Sequence, residues 1–113
     1  MMFGDLAGML KNVQQMQKQM HLIKQSLEAM EVEGASGGGM VTVKANGRGE
    51  ILSLKIAPEV VDPRNVEFLE DLVRAAVRQT SEKSHKLMQE EMSKAVGSLG
   101  IPGIGKLLGD FGM

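Results

Sequence analysis

Residues 34–56, GASGGGMVTVKANGRGEILSLKI, form a glycine-punctuated segment held between two long stretches of helical periodicity, and little chain is left for other loops. A helix, a hairpin and a helix in that order restrict the fold to a small antiparallel sheet with helices beside it. Val41, Val43 and Ala45, followed by Leu52, Leu54 and Ile56, alternate with polar residues, so their side chains share one face of two strands. Between them Asn46-Gly47 is expected to supply the positive φ angles of a tight turn. Gly37 to Gly39 mark a second turn, and Glu31 to Ser36 reads as a third, weaker strand with Val32 inward.

From Met2 to Met30 apolar residues fall in 4-3 spacing. Leu6, Val13, Met20 and Leu27 occupy one heptad position, and Met2, Met9, Met16, Ile23 and Met30 the other. This is a coiled-coil seam. The first helix is expected to begin near Asp5 as cap and to run to about Met30, roughly 40 Å at ~1.5 Å per residue. The second is expected after Asp62-Pro63, with Asp62 as cap and Pro63 in the first turn, and continues without Gly or Pro to Gly97, roughly 50 Å. Its core stripe is Leu69, Leu72, Val73, Ala76, Val77, Thr80, Ser84, Leu87 and Met88, and the small residues in mid-stripe predict close approach of another backbone. Strands of this length span only ~20 Å, so part of each helix must overhang the sheet. The overhanging seams need cover, from each other or from a second copy, and a homodimer with helical arms projecting from a β platform follows.

Composition narrows the function. With 113 residues, 42% of them hydrophobic, and three Phe as the whole aromatic content, the chain makes one modest domain over residues 1–96, followed by a Gly/Pro-containing apolar tail over 97–113. No cysteine is present, which excludes disulfides and thiolate metal sites and agrees with a reducing compartment. No apolar run reaches membrane-spanning length and no leader pattern opens the chain, so the cytoplasm is the expected location and no membrane partner is expected. The formal charge is −1, and residues 64–96 carry six basic and six acidic side chains, so any basic surface must come from geometry or dimerisation.

The Gln- and Met-rich MLKNVQQMQKQM, Gly34 with GGGMVTV and the NG turn, Ile56 with Pro58, LEDLVRAAV with the following Lys83, and the tail GIPGIGKLL together resemble the YbaB/EbfC family of bacterial nucleoid-associated DNA-binding proteins over nearly the whole chain. The resemblance implies a tweezer-like α+β homodimer, located in the nucleoid, that binds DNA and alters its conformation or organisation, with gene expression as a further target. One departure stands out. Members of the family carry Asn-Asp-Ala or similar where this chain has Arg78-Gln79-Thr80.

Enzymatic readings find little support. Gly100 to Lys106 has the GxxxxGK spacing of a phosphate loop, but Leu107 replaces the Ser or Thr that would hold Mg²⁺, and the preceding element is a helix. His21 and His85 sit on different helices without an acid at ligand spacing, and Ser81, Ser84, Glu82 and His85 have no strained turn or oxyanion hole. No catalysis, cofactor, metal or small-molecule substrate is expected.

The basic residues divide into two sets. Glu70, Arg74, Arg78, Glu82, Lys86, Glu90 and Lys94 form an i,i+4 ladder, which reads as a salt-bridged solvent face. Lys11 and Lys18 recur seven residues apart on the outer heptad position, Lys24 follows, and no acid lies between Asp5 and Glu28. This stripe is uncompensated. Doubled by symmetry and combined with Arg74, Arg78 and Lys86, it would reach phosphates from two arms of a homodimer. Asn12, Gln14, Gln15 and Gln25 add neutral hydrogen-bonding groups. No aromatic lies among the lysines and no recognition-helix or zinc-finger pattern occurs, so double-stranded DNA held mainly by its backbone is the expected partner, with Lys11, Lys18, Lys24, Arg74 and Arg78 as contacts. The alternative is a dimeric protein-interaction scaffold using the Met-rich seam and the apolar tail (Leu99, Ile101, Ile104, Leu107, Leu108, Phe111).

Overall fold

A computed structural model describes residues 2–98, with side chains over 6–97. The chain folds as α1 (Met2–Ala29), β1 (Glu31–Ser36), a 3-10 turn at Gly37–Gly39, β2 (Val41–Asn46), β3 (Ile51–Ile56), a second 3-10 turn at Pro58–Val60, and α2 (Val66–Ser98). This is the α+β architecture of two long helices and a three-stranded antiparallel sheet expected from the sequence, with strand order β1-β2-β3. The tail over residues 99–113, with its GxxxxGK spacing and apolar docking residues, lies outside the described residues.

α2 packs across β1 and β2. Val41, Val43 and Ala76 are fully buried between them, and Ile56, Leu72, Val73 and Val77 pack around this centre. The small residues of the α2 stripe do allow close approach. A Cβ on Gly34 of β1 would stand 2.2 Å from Thr80 Oγ1 and 2.7 Å from both Ala76 O and Thr80 N. The Thr80 hydroxyl is satisfied inside the interface by donating to Ala76 O at 2.7 Å, with Val43 O at 3.3 Å. Further along, Ser84 Oγ donates to Asn46 O at 3.0 Å, which fastens α2 to the hairpin end of the sheet.

α1 joins this unit only near its C-terminal end. Leu27 is 2% exposed, and Gly47 N–H donates to Leu27 O at 2.8 Å and to Met30 O at 3.2 Å, so the hairpin turn caps the helix. Arg48 and Glu28 form an ion pair across the same junction. A Cβ on Gly47 would lie 2.7 Å from Leu27 Cδ2 and 2.9 Å from Leu27 O. Gly47→Ala is therefore expected to cost about 1–3 kcal/mol, seen as a lower thermal midpoint together with faster amide exchange over the last turns of α1.

Three local expectations need correction. Asn46 and Gly47 do not carry the positive φ of the hairpin turn; Gly49 does, at φ 85°. The loop is Gly47-Arg48-Gly49, closed by Asn46 N–H to Glu50 O at 3.0 Å and Gly49 N–H to Asn46 O at 3.1 Å, which is the three-residue hairpin with a left-handed glycine last. The buried Asn46 instead holds the turn with its side chain, Oδ1 accepting from Arg48 N–H and Glu50 N–H and Nδ2 donating to Glu50 Oε1.

The start of α2 also shifts. Asp62 caps no helix but closes a local turn onto Arg64 N–H, with Pro63 inside that turn, and the helix begins at Val66 with Asn65 Oδ1 accepting from Phe68 N–H at 3.3 Å. Asn65→Ala should cost about 1 kcal/mol by loss of this cap, measurable by chemical denaturation. At the other end of the molecule α1 already starts at Met2, ahead of the expected cap at Asp5.

The third correction concerns the charge ladder of α2. Its pairs in the fold are Arg74 with Asp71 and Lys94 with Glu91, both at i,i+3 and 3.2 Å, in place of the i,i+4 pairs read from the sequence.

Candidate nucleic-acid interface

The overhang inferred from element lengths is present in α1. Leu6, Met9, Leu10, Val13, Met16 and Met20 are 40–65% exposed, whereas the same seam at Ile23 is half-buried and at Leu27 is closed. α1 therefore leaves the hairpin end of the sheet as an arm with an uncovered apolar face. Lys11 and Lys18 are exposed on this arm, at the heptad position opposite the seam, and Lys24 is exposed nearer the sheet. Among the described residues none of these three lysines forms an ion pair. Lys24 and His21 line a shallow depression with Gln17 and the seam residues Val13, Met16 and Met20, so these two stand beside the seam and not on the face of Lys11 and Lys18.

Arg74 and Arg78 are exposed on α2 and line a second depression with Asp71, Gln79 and Glu82. They do not adjoin the lysines of α1 in one chain. Leu72 lies beside Gly37 and Ser36 at one end of the sheet, while Ser84 reaches the hairpin at the other, where α1 docks. Arg74 is thus about 15 Å along α2 from that junction, and Lys11 roughly 24 Å along α1 from Leu27. The cations brought together are Arg74 with Arg78 and, separately, the stripe on α1. The acidic neighbours Asp71 and Glu82 weaken the first set, whereas the second has no acid between Asp5 and Glu28.

Two further basic residues were missed. Lys44 and Lys55 are exposed on the sheet face turned away from α2, on adjacent strands. The signal was in the alternation: if Val43 and Leu54 face α2, then Lys44 and Lys55 must face away. The family-like Lys83 serves the fold, since its Nζ donates to Glu33 O at 2.7 Å along the edge of β1. Gln79 Oε1 accepts from Ala35 N–H on the same edge at 2.7 Å. The departure Arg78-Gln79-Thr80 thus has structural work for two of its three residues, one covering the sheet edge and one packed on Gly34.

No helix among the described residues is long and apolar enough to cross a membrane. Nor does any group of three metal-ligating side chains occur among them.

The family model described as the YbaB/EbfC DNA-binding family matches residues 2–99. A nucleoid-associated protein of Alkaliphilus metalliredigens is 44% identical over 100 residues, covering 88% of either chain. Another, from Thermodesulfovibrio yellowstonii, is 44% identical over 111 residues, covering 98% of this chain and 95% of its own. In fold the chain is similar to the crystal structure of an uncharacterized Helicobacter pylori protein, with TM-score 0.64 at 23% identity over 83% of this chain and 92% of that one. A match that spans all the described elements, together with relatives of the same length at this identity, places the chain in the YbaB/EbfC DNA-binding family.

Proposed function

We propose that this protein is a nucleoid-associated protein of the bacterial cytoplasm that binds double-stranded DNA as a homodimer and changes its conformation or organisation, and through that gene expression. The observation that carries the reading is the division of α1 into two faces. An uncovered apolar seam runs from Leu6 to Met20, and Lys11 and Lys18 stand on the opposite side without acidic partners. Covering the seam with helices of a second copy, in coiled-coil fashion, removes apolar surface from water and leaves the lysines pointing outward from two arms.

Contacts from Lys11, Lys18 and Lys24, supplemented by Arg74 and Arg78, go to phosphates, which position a protein on DNA without reading its sequence. The uncharged Asn12 and Gln14 on the same arm add hydrogen bonds of the same kind. Residues 1–96 form the binding domain and 97–113 a tail. No chemistry on DNA is part of this reading.

The test is fluorescence anisotropy of a labelled duplex titrated with protein at about 50 and about 200 mM salt. If Lys11 and Lys18 from two copies each neutralise one phosphate, they alone should make log Kobs fall against log salt with a slope near −3.6, roughly a 100-fold loss over that range, and each further contact from Lys24, Arg74 or Arg78 should steepen it. Absence of binding at the lower salt would overturn the reading. It would turn attention to the exposed methionines of α1 as a protein-docking face.

A further inference from the structure

The methionines whose side chains are described fall into two groups. Met30, Met40, Met88 and Met92 are half-buried. Met9, Met16 and Met20 are 65%, 56% and 40% exposed, and all three stand on the seam of the α1 arm. Packing does not require sulfur at these positions. Leu6 and Val13 fill other positions of the same seam, and leucine replaces methionine at nearly constant volume. What a thioether adds is a lone pair able to attack the O–O bond of a peroxide. The chain holds no cysteine, so no thiol of its own competes for the oxidant.

Exposure and anchoring single out the arm. α1 is held near its C-terminal end, at Leu27 and the Gly47 turn, so its free length is the part of the fold that separates from its surroundings at least cost. Pairing with a second copy slows oxidation there, but each separation of the arms presents the same three sulfurs to solvent.

We propose that Met9, Met16 and Met20 form a reversible oxidation site for hydrogen peroxide, and that their sulfoxides loosen the hold of the arms on DNA. The effect on DNA rests on the reading of the protein as a duplex-binding homodimer; the modification does not. In the reaction the sulfur lone pair bonds to one peroxide oxygen and the O–O bond breaks. The proton of the transferred hydroxyl passes to the departing hydroxide, which leaves as water. Sulfur is oxidised by two electrons and the peroxide is reduced by two, with no further reactant.

Each sulfoxide sets a polar oxygen into a seam of Leu6, Val13 and methionine side chains, none of which donates a hydrogen bond. Burying one such oxygen weakens the association of two arms by about tenfold or more. With the arms apart, Lys11 and Lys18 of the two copies no longer meet one duplex at a fixed spacing. Methionine sulfoxide reductases restore the thioether, one enzyme for each sulfoxide epimer.

The experiment treats the full-length protein with hydrogen peroxide, maps the added oxygen by mass spectrometry of its peptides, and reads duplex anisotropy at about 50 mM salt on the same samples. Met9, Met16 and Met20 should gain oxygen several-fold faster than Met30, Met40, Met88 and Met92. Duplex affinity should fall about tenfold or more as they do, and recover after treatment with both reductases. Met9→Leu/Met16→Leu/Met20→Leu keeps an apolar seam and should show the same duplex affinity before and after peroxide. Half-buried sulfurs reacting as fast as those of the arm would overturn the site. Full affinity in oxidised wild type, or an equal loss in the leucine variant, would overturn its effect on DNA. Untreated protein that binds no duplex would overturn the DNA reading, and the oxygen map would still decide the site.

Discussion

Gly34→Ala is expected to lower stability by about 3 kcal/mol, which for a domain of this size is a fall of roughly 15 °C in thermal midpoint at matched protein concentration. The added methyl would sit 2.2 Å from Thr80 Oγ1 and 2.7 Å from both Ala76 O and Thr80 N. The side chain of Thr80 can turn, but the backbone atoms belong to the middle of α2 and move only with the helix. Since α2 is the main cover of Val41 and Val43, lifting it by the needed fraction of an ångström loosens the centre of the core. The double variant Gly34→Ala/Thr80→Ala sharpens the argument. Removing the hydroxyl relieves the closest contact and leaves the two backbone contacts, so rescue should be partial. A thermal midpoint of Gly34→Ala within a degree or two of wild type would show that α2 does not rest on β1 so closely.

The second large effect is on binding. Reversing Lys11 and Lys18 to Glu should weaken duplex binding by at least about 100-fold at about 50 mM salt and flatten the salt dependence, because four favourable phosphate contacts per dimer become four repulsions. Both residues are exposed and opposite the seam, so helix content and thermal midpoint should stay close to wild type. That separation of binding from folding gives the variant its value. Arg78→Glu supplies the contrast, since Arg78 lies with Asp71 and Glu82 on a surface already partly neutralised and should lose less affinity. Equal losses in the two variants would mean that the arms are not the principal contact. Unchanged affinity in the lysine variant would remove α1 from the interface.

Much of the fold was legible in the chain because its signals are local. The strand alternation from Val41 to Ile56 and the 4-3 spacing of α1 depend only on residues a few positions apart, and both elements formed where the pattern placed them. The weak third strand at Glu31–Ser36 was legible from its bounding glycines, although its burial is slight outside Gly34. The site was legible only as charge placement. The Lys11 and Lys18 stripe is a property of one helix and could be read, whereas the separation of Arg74 and Arg78 from it depends on which end of the sheet each helix meets.

The turns divide the same way. Asn-Gly was rightly read as a turn, yet the left-handed residue is Gly49, because the closing bond between Asn46 and Glu50 selects a three-residue loop over a two-residue one. Asp62 and Asn65 are both competent caps, and the tighter turn of Asp62 onto Arg64 left Asn65 to start the helix.

The sequence by itself determined two long helices, a small antiparallel sheet between them, and an apolar seam longer than that sheet is able to cover, since period, length and turn residues are local quantities. Only the tertiary structure decided that Gly34 lies beneath Thr80, that Gln79 and Lys83 close one sheet edge, and that α1 stands out from the sheet as an arm. Those outcomes depend on the distance and angle at which residues far apart in the chain meet, and close packing of a helix on a sheet sets both.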